Sequence, residues 1–131
     1  MKARKRARKK HRGRSGYEDK IMTFLETQGV KYQYESETVS YTVPETKKRY
    51  IPDFKVGKVL IEGKGRWLAA DRRKIKMVLQ QNPGLNLKML FMRDDPIRKG
   101  SKTRYSDVCK KLGIDYEISP TGSVPRRWIT G

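Results

Sequence analysis

Between Ile51 and Lys64 the chain has one place to turn. Gly57-Lys58 separates two strand-like runs, Phe54-Lys55-Val56 and Val59-Leu60-Ile61, with glycine at the first position of a two-residue loop, as a type II′ hairpin turn requires. That turn fixes the register. Val56 falls opposite Val59, Phe54 opposite Ile61, and Asp53 opposite Glu62, with facing Cβ atoms roughly 4.5 to 5.5 Å apart. Side chains alternate between the faces of a strand. Phe54, Val56, Val59 and Ile61 are therefore expected on an apolar side that is core, and Asp53, Glu62 and Lys64 on the other, which is chemistry.

Two carboxylates so placed repel one another unless one takes a proton or a cation lies between them. Oxygen ligands suit a hard divalent ion, Mg²⁺ or Mn²⁺, better than zinc, which favours histidine and cysteine. The chain has one of each. The bland alternative is an ordinary hairpin whose acids balance nearby lysines on a solvated face, since short patterns of Asp, Glu and Lys recur by chance.

The charge balance bears on that choice. Lysine and arginine number 32 against 14 acids, for a net charge of +18, which favours a polyanionic partner such as nucleic acid. Half of the excess lies in residues 1–14, where Lys2, Arg4, Lys5, Arg6, Arg8, Lys9, Lys10, Arg12 and Arg14 stand with no acid among them. This arm has too little apolar content to offset the entropy of ordering, and is expected to be disordered when free and to attract phosphates without regard to sequence. A solubilising or localising arm is the competing reading. His11, inside that run, is not read as a metal ligand.

Residues 15–131 suffice for one domain and are too few for two. No apolar run approaches the roughly 20 residues needed to cross a membrane, and no targeting peptide is visible. The lone Cys109 excludes an internal disulfide framework and fits a reducing compartment; it reads as a small buried helix residue, with no histidine partner to activate it.

Periodicity and punctuation give the order of elements. Helices are expected over Tyr17 to Gln28, with Ile21, Phe24 and Leu25 on one face; over Ala70 to Gln81, with Ile75, Val78 and Leu79 inward; and over Tyr105 to Leu112. Strands are expected over Lys31 to Glu35, Thr38 to Val43, Arg49 to Val56, the second arm of the hairpin, and Leu87 to Met92, with a short edge strand at Asp115 to Ile118. The class is α/β with mixed strands. Two readings compete for Glu18. Ser15-Gly16-Tyr17-Glu18 is a capping box, in which Glu18 reaches back to an exposed amide, yet Glu18 also stands one turn before Ile21 and can point toward the acidic face.

Several motifs occur together in one order: Arg14-Ser15-Gly16-Tyr17-Glu18-Asp19-Lys20, Tyr34-Glu35 through Val43-Pro44 to Tyr50-Ile51-Pro52-Asp53-Phe54, Glu62-Gly63-Lys64-Gly65, and Asp71-Arg72-Arg73-Lys74. Lys99-Gly100-Ser101, Tyr105 and Pro125-Arg126-Arg127-Trp128-Ile129 follow. In these the chain resembles the phage-encoded endonuclease I family of Holliday junction resolvases, within the PD-(D/E)xK nuclease superfamily. The resemblance spans nearly everything after the arm. The turn between Asp53 and Glu62 departs from the family pattern by about one residue, and the basic residues concentrate at the amino end.

The resemblance implies a restriction-endonuclease-like mixed sheet flanked by helices, in an intertwined homodimer that exchanges strands through a bridge near residues 36–49. Pro44 makes that stretch a poor interior strand; a long hairpin loop in a monomer is the alternative. The implied activity is Mg²⁺-dependent hydrolysis of four-way and other branched DNA, with Mn²⁺ as substitute and one or two ions per site, leaving 5′-phosphate and 3′-hydroxyl ends. By position Glu18, Asp53, Glu62 and Lys64 are the implied catalytic residues. Asp53, Glu62 and the Gly63 carbonyl are the implied metal ligands. The implied setting is the cytoplasm of an infected bacterial host.

Candidate phosphate contacts are Arg66, Arg72, Arg73, Lys74, Lys76, Arg98, Lys99, Lys102 and Arg104, with the arm residues Arg4, Lys5, Arg6, Arg8, Lys9, Lys10, Arg12 and Arg14. Gly100-Ser101, before the last helix, is expected to offer backbone amides at its positive end. Trp67 and Trp128 read as packing residues. A sequence- or end-directed duplex nuclease of the same superfamily and a non-catalytic basic nucleic-acid-binding protein remain the alternatives.

Overall fold

The computed structural model describes residues 12–43 and 46–130. Its elements run α1 (Gly16–Thr27), β1 (Gln33–Tyr34), β2 (Val39–Val43), β3 (Thr46–Tyr50), β4 (Phe54–Val56), β5 (Val59–Lys64), α2 (Ala69–Gln81), β6 (Leu87–Phe91), α3 (Tyr105–Leu112), β7 (Asp115–Ile118) and α4 (Arg126–Ile129). Five strands form one mixed sheet in the order β1-β4-β5-β6-β7, and β2 and β3 form a separate hairpin.

The β4–β5 hairpin has the register that its turn dictates: Phe54 pairs with Ile61, Lys55 with Leu60 and Val56 with Val59. Gly57 has φ 58°, whereas Lys58 is not among the residues of positive φ, which is the requirement of a type II′ turn. From β5 the chain crosses through α2 to β6, which lies parallel to β5, and through α3 to β7, parallel to β6. Antiparallel pairing on one side of β5 and parallel pairing on the other make the sheet mixed, with β1 and β7 at its edges.

Both faces of the sheet are core, where one face was expected to be. Phe54, Val56, Ile61 and Leu90 pack against Tyr17, Ile21, Met22 and Leu25 of α1 and against Trp128 of α4. Leu60, Met89 and Phe91, their neighbours in sequence, point the other way and pack with Trp67, with Ile75 and Val78 of α2, and with Tyr105 and Cys109 of α3. The crossover helices α2 and α3 cover one face and α1 and α4 the other, so the central strands are apolar on both. Only its end near Asp53 and Glu62 is left for polar chemistry.

The strand expected over Arg49 to Val56 is two strands. Thr46–Tyr50 belongs to the separate hairpin, paired from Val39↔Tyr50 to Val43↔Thr46, and Ile51-Pro52-Asp53 breaks the ladder before β4 begins. Pro52 has no N–H to give. Within this chain β2 packs on α2: Thr42 N donates to Gln81 Oε1 at 2.5 Å, and Gln81 Nε2 returns a bond to Thr42 O at 2.7 Å. Pro44 lies outside the described residues. The short helix α4 had no counterpart in the periodicity. Trp67 and Trp128 are buried, as packing residues should be, and Cys109 is buried with its thiol pushed up to about 12 by that burial. No described helix is long and apolar enough to cross a membrane.

Candidate active site

The end of the β4–β5 hairpin opens on a cavity of about 320 Å³, lined by Glu18, Asp53, Glu62, Gly63 and Lys64, with Arg14, Glu35, Arg49, Tyr50, Ile51 and Lys74 around them. Glu18, Asp53 and Glu62 are 7%, 8% and 6% exposed. Acids this deeply buried are not the solvated face of an ordinary hairpin, because an unpaired buried charge is costly.

Each acid is delivered by a different device. Glu62 points from β5 into the cavity on the same strand face as Leu60. Asp53 lies one residue before β4, where the ladder has ended, and its Oδ2 accepts the Gly63 N–H at 3.0 Å. Glu18 comes from the first turn of α1, where Ser15 caps the helix by accepting the Glu18 N–H at 3.2 Å. Only half of the expected capping box forms, because the Glu18 carboxylate bonds the Arg14 N–H at 2.7 Å instead of that of Ser15. Both competing readings of Glu18 are therefore partly right: it satisfies an amide, and it faces Asp53.

Gly63 shows why α1 can come so close. A Cβ there would lie 2.7 Å from Ile21 Cδ1 and 3.4 Å from the Tyr17 ring, so a side chain at this position would push the helix, and Glu18 with it, off the sheet.

The electrostatics record the crowding. Burial, then the charges of Glu62 and Glu18, raise the Asp53 carboxyl well above the usual carboxylate range, against the pull of the Gly63 amide. Burial also raises Glu62, opposed by Lys64 and by the Tyr50 hydroxyl. Lys64 lies 3.4 Å from Glu62 Oε2 and 3.5 Å from Asp71 Oδ2 of α2. Burial alone would lower its pKa, but Glu62, Asp71 and Asp53 outweigh it and hold the ammonium charged. A cluster that holds protons above their normal range binds a divalent cation readily, because the cation replaces the proton as compensating charge. The oxygen-only donor set fits a hard ion.

Several residues here escaped the sequence. Tyr34 OH donates to Glu18 Oε1 at 2.6 Å, and Tyr50 OH to Glu62 Oε1 at 2.7 Å. Glu35 offers a carboxylate oxygen within 4.8 Å of those of Glu18 and Asp53; its φ is 51° and its N–H donates to Asp53 O at 2.9 Å. Arg14 pairs with Glu35 at 3.0 Å. Tyr34, Glu35 and Tyr50 all lie within the resembling motifs, but nothing in their spacing assigns them a task.

In this setting the comparisons with known proteins are decisive. The model of the phage endonuclease I family matches residues 1–130. The chain belongs to the phage endonuclease I family. It is 36% identical over 118 residues to Endonuclease I of Escherichia phage T7, covering 88% of this chain and 77% of that one. To Endodeoxyribonuclease 1 of Enterobacteria phage T3 it is 39% identical over 103 residues, covering 77% and 68%. A family of endonucleases, and a buried acidic cluster with a lysine, agree on a phosphodiester-cleaving enzyme that acts on DNA.

The basic residues sort into exposed and engaged ones. Arg66, Arg73, Lys76, Arg98, Lys99 and Lys102 are exposed. Arg72 is occupied, donating to Trp67 O at 2.6 Å, and Arg104 donates to Asp94 O at 2.7 Å. Lys74 lies 5.7 Å from the centroid of the Tyr50 ring, beside the cavity. Gly100-Ser101 is not at a helix end: the cap of α3 is Arg104, and the Ser101 N–H closes a turn on Arg98 O at 3.0 Å. Arg12 pairs with Glu26 at 2.8 Å. Arg4, Lys5, Arg6, Arg8, Lys9 and Lys10 lie outside the described residues.

Proposed function

We propose that this endonuclease is a divalent-metal-dependent, structure-selective deoxyribonuclease that resolves four-way and other branched DNA junctions as a homodimer, with strands exchanged through residues 36–49. The convergence of Glu18, Asp53 and Glu62 in one buried cavity beside Lys64 is the observation that carries the reading. Asp53, Glu62 and the Gly63 carbonyl would hold the cation, Mg²⁺ or Mn²⁺ in its place, with Glu18 on the far side of Asp53. Bound there, the ion supplies Lewis-acid stabilisation of the charge that builds on phosphate oxygens.

The protein's own groups do the rest. Lys64, held charged between Glu62 and Asp71, neutralises a phosphate oxygen and orients the attacking water. That water adds to phosphorus in line as the P–O3′ bond breaks, leaving a 5′-phosphate and a 3′-hydroxyl. Exposed Arg66, Arg73, Lys76, Arg98, Lys99 and Lys102 contact phosphates along the arms of the substrate, with the amino-terminal arm adding salt-sensitive attraction. The phage relatives favour action in the cytoplasm of an infected host.

The test is cleavage of a four-way junction and of a matching linear duplex, with and without Mg²⁺, alongside Asp53→Asn. The expected result is metal-dependent cutting of the junction alone, lost in the variant. Binding without any cut strand would leave a non-catalytic DNA-binding protein, and equal cutting of the duplex would remove structure selectivity. Mixing inactive Glu18→Ala and Asp53→Ala subunits under exchange conditions tests the dimer: a site built from two chains regains activity in the heterodimers, and a site within one chain does not.

A further inference from the structure

The two glutamates of the site are held in the same way. Glu18 Oε1 receives the Tyr34 hydroxyl at 2.6 Å and the Arg14 N–H at 2.7 Å. Glu62 Oε1 receives the Tyr50 hydroxyl at 2.7 Å, while its Oε2 faces Lys64 at 3.4 Å. In each case the short hydrogen bond falls on one oxygen and comes from an uncharged phenol.

The choice of donor has a physical reason. A phenol fixes the carboxylate plane without neutralising it, whereas a guanidinium or ammonium in its place would remove negative charge that a cation needs, in Glu62 beyond what Lys64 already compensates from the Oε2 side. A chain with 32 lysines and arginines has no shortage of cations for the purpose. Both rings are also packed. Tyr34 packs its ring against Phe54 with centroids 5.4 Å apart, and Tyr50 is 2% exposed within the core under Lys74. A hydroxyl on a packed ring positions the carboxylate it holds.

We propose that Tyr34 and Tyr50 are positioning residues that orient Glu18 and Glu62 so that the second oxygen of each is presented to a divalent cation. This rests on the metal-dependent reading of the site. The order of residues along the chain adds to it. Glu18 and Tyr34 both precede the 36–49 stretch, and Tyr50 and Glu62 both follow it. Each phenol therefore stays in the same chain segment as its glutamate, and the two pairs meet as preassembled halves whether one chain or two supply them.

The experiment is Mn²⁺ binding to the full chain without DNA, followed by electron paramagnetic resonance of the free ion, for Tyr34→Phe, Tyr50→Phe, Asp53→Asn and Tyr105→Phe. Tyr105, whose hydroxyl accepts the Trp67 N–H at 3.1 Å away from the cavity, controls for the loss of a buried hydroxyl. Loss of a group that orients a metal ligand weakens metal affinity about 10- to 100-fold. That shift is expected in Tyr34→Phe and Tyr50→Phe and not in Tyr105→Phe. In junction cleavage the same two variants should need correspondingly more Mg²⁺ for half-maximal rate and recover near-normal rates at saturation. A variant that only folds poorly would lower the plateau without moving that midpoint, and such a result would overturn the inference. An unchanged Mn²⁺ midpoint in either variant overturns it for the glutamate concerned. Wild-type Mn²⁺ binding by Asp53→Asn would instead strike the metal-site reading beneath it.

Discussion

The chain contains two consecutive hairpins that differ in what holds them. β4–β5 turns on Gly57-Lys58, buries Phe54, Val56 and Ile61 on one face and Leu60 on the other, and carries Glu62 and Lys64 at its end. β2–β3 is anchored on α2 by polar bonds: Gln81 to the Thr42 backbone in both directions, and Asn82 Nδ2 to Ser40 O at 3.0 Å. Val39, Tyr41 and Tyr50 are its buried contribution to the core. One hairpin is defined by its own turn and is covered on both faces. The other takes its position from the helix beneath it. Glu62 and Lys64 are carried by the first kind, and Tyr50, whose hydroxyl holds Glu62, by the second.

The sharpest break of this contrast is at Asp53. Asp53→Asn is expected to lower junction cleavage roughly 10³-fold, since the stabilisation at stake is several kcal/mol, while DNA binding measured without Mg²⁺ is retained. No substitution in β2–β3 that leaves it folded should approach that loss.

Next in size is the stability of the metal-free protein against pH. Asp53 is raised to about 9 in the folded chain from an ordinary value of 3.8, first by burial and then by Glu62. A group raised on folding contributes stability that is complete below its unfolded value and is lost as pH rises through its folded value. Without metal, the melting temperature should therefore fall between the carboxylate range and about pH 9, by about 5 °C or more. Asp53→Asn should flatten that decline, and Mg²⁺ should reverse it by binding the folded state. A flat metal-free profile in the wild type would mean that the acids do not crowd one another.

The third prediction concerns the approach of α1. Gly63→Ala should cost roughly 1 to 3 kcal/mol by overpacking, because its methyl meets Ile21 Cδ1. Ile21→Val deletes that atom, so the double variant should recover part of the loss in thermal unfolding; simple additivity would contradict the contact. The smallest effect is expected at Gln81. Gln81→Ala should cost about 1 kcal/mol, the net worth of exposed hydrogen bonds. In hydrogen exchange it should open the Thr42 amide while those of β4 and β5 stay protected. Equal loss of protection in both hairpins would erase the distinction between them.

The acidic pair was legible because a two-residue turn fixes everything within a few residues of it. Asp53, Glu62 and Lys64 follow from Gly57 by counting. Glu18 was ambiguous because its first-turn position serves a cap and a site equally well, and only the packing of Ile21 over Gly63 shows how it serves both. Arg49 to Val56 read as one strand because its residues all favour strands, yet the partners of Tyr50 and Phe54 lie in different sheets. Arg72 and Arg104 looked like free cations because composition does not reveal which carbonyls lie within reach.

The sequence alone determined the hairpin register, the basic character, the α/β order of elements and the family, all of which rest on local geometry or on residue identity in order. The tertiary structure decided that both sheet faces are buried, that Tyr34 and Tyr50 hold the glutamates, and that Glu35 and Asp71 border the site. Tyr34 lies 16 positions from Glu18 and Tyr50 12 from Glu62, with Glu18 and Glu35 supplied from outside the hairpin, and no local periodicity encodes these contacts. They arise because burying two apolar faces at once leaves the buried carboxylates Glu18, Asp53 and Glu62 one cavity to share.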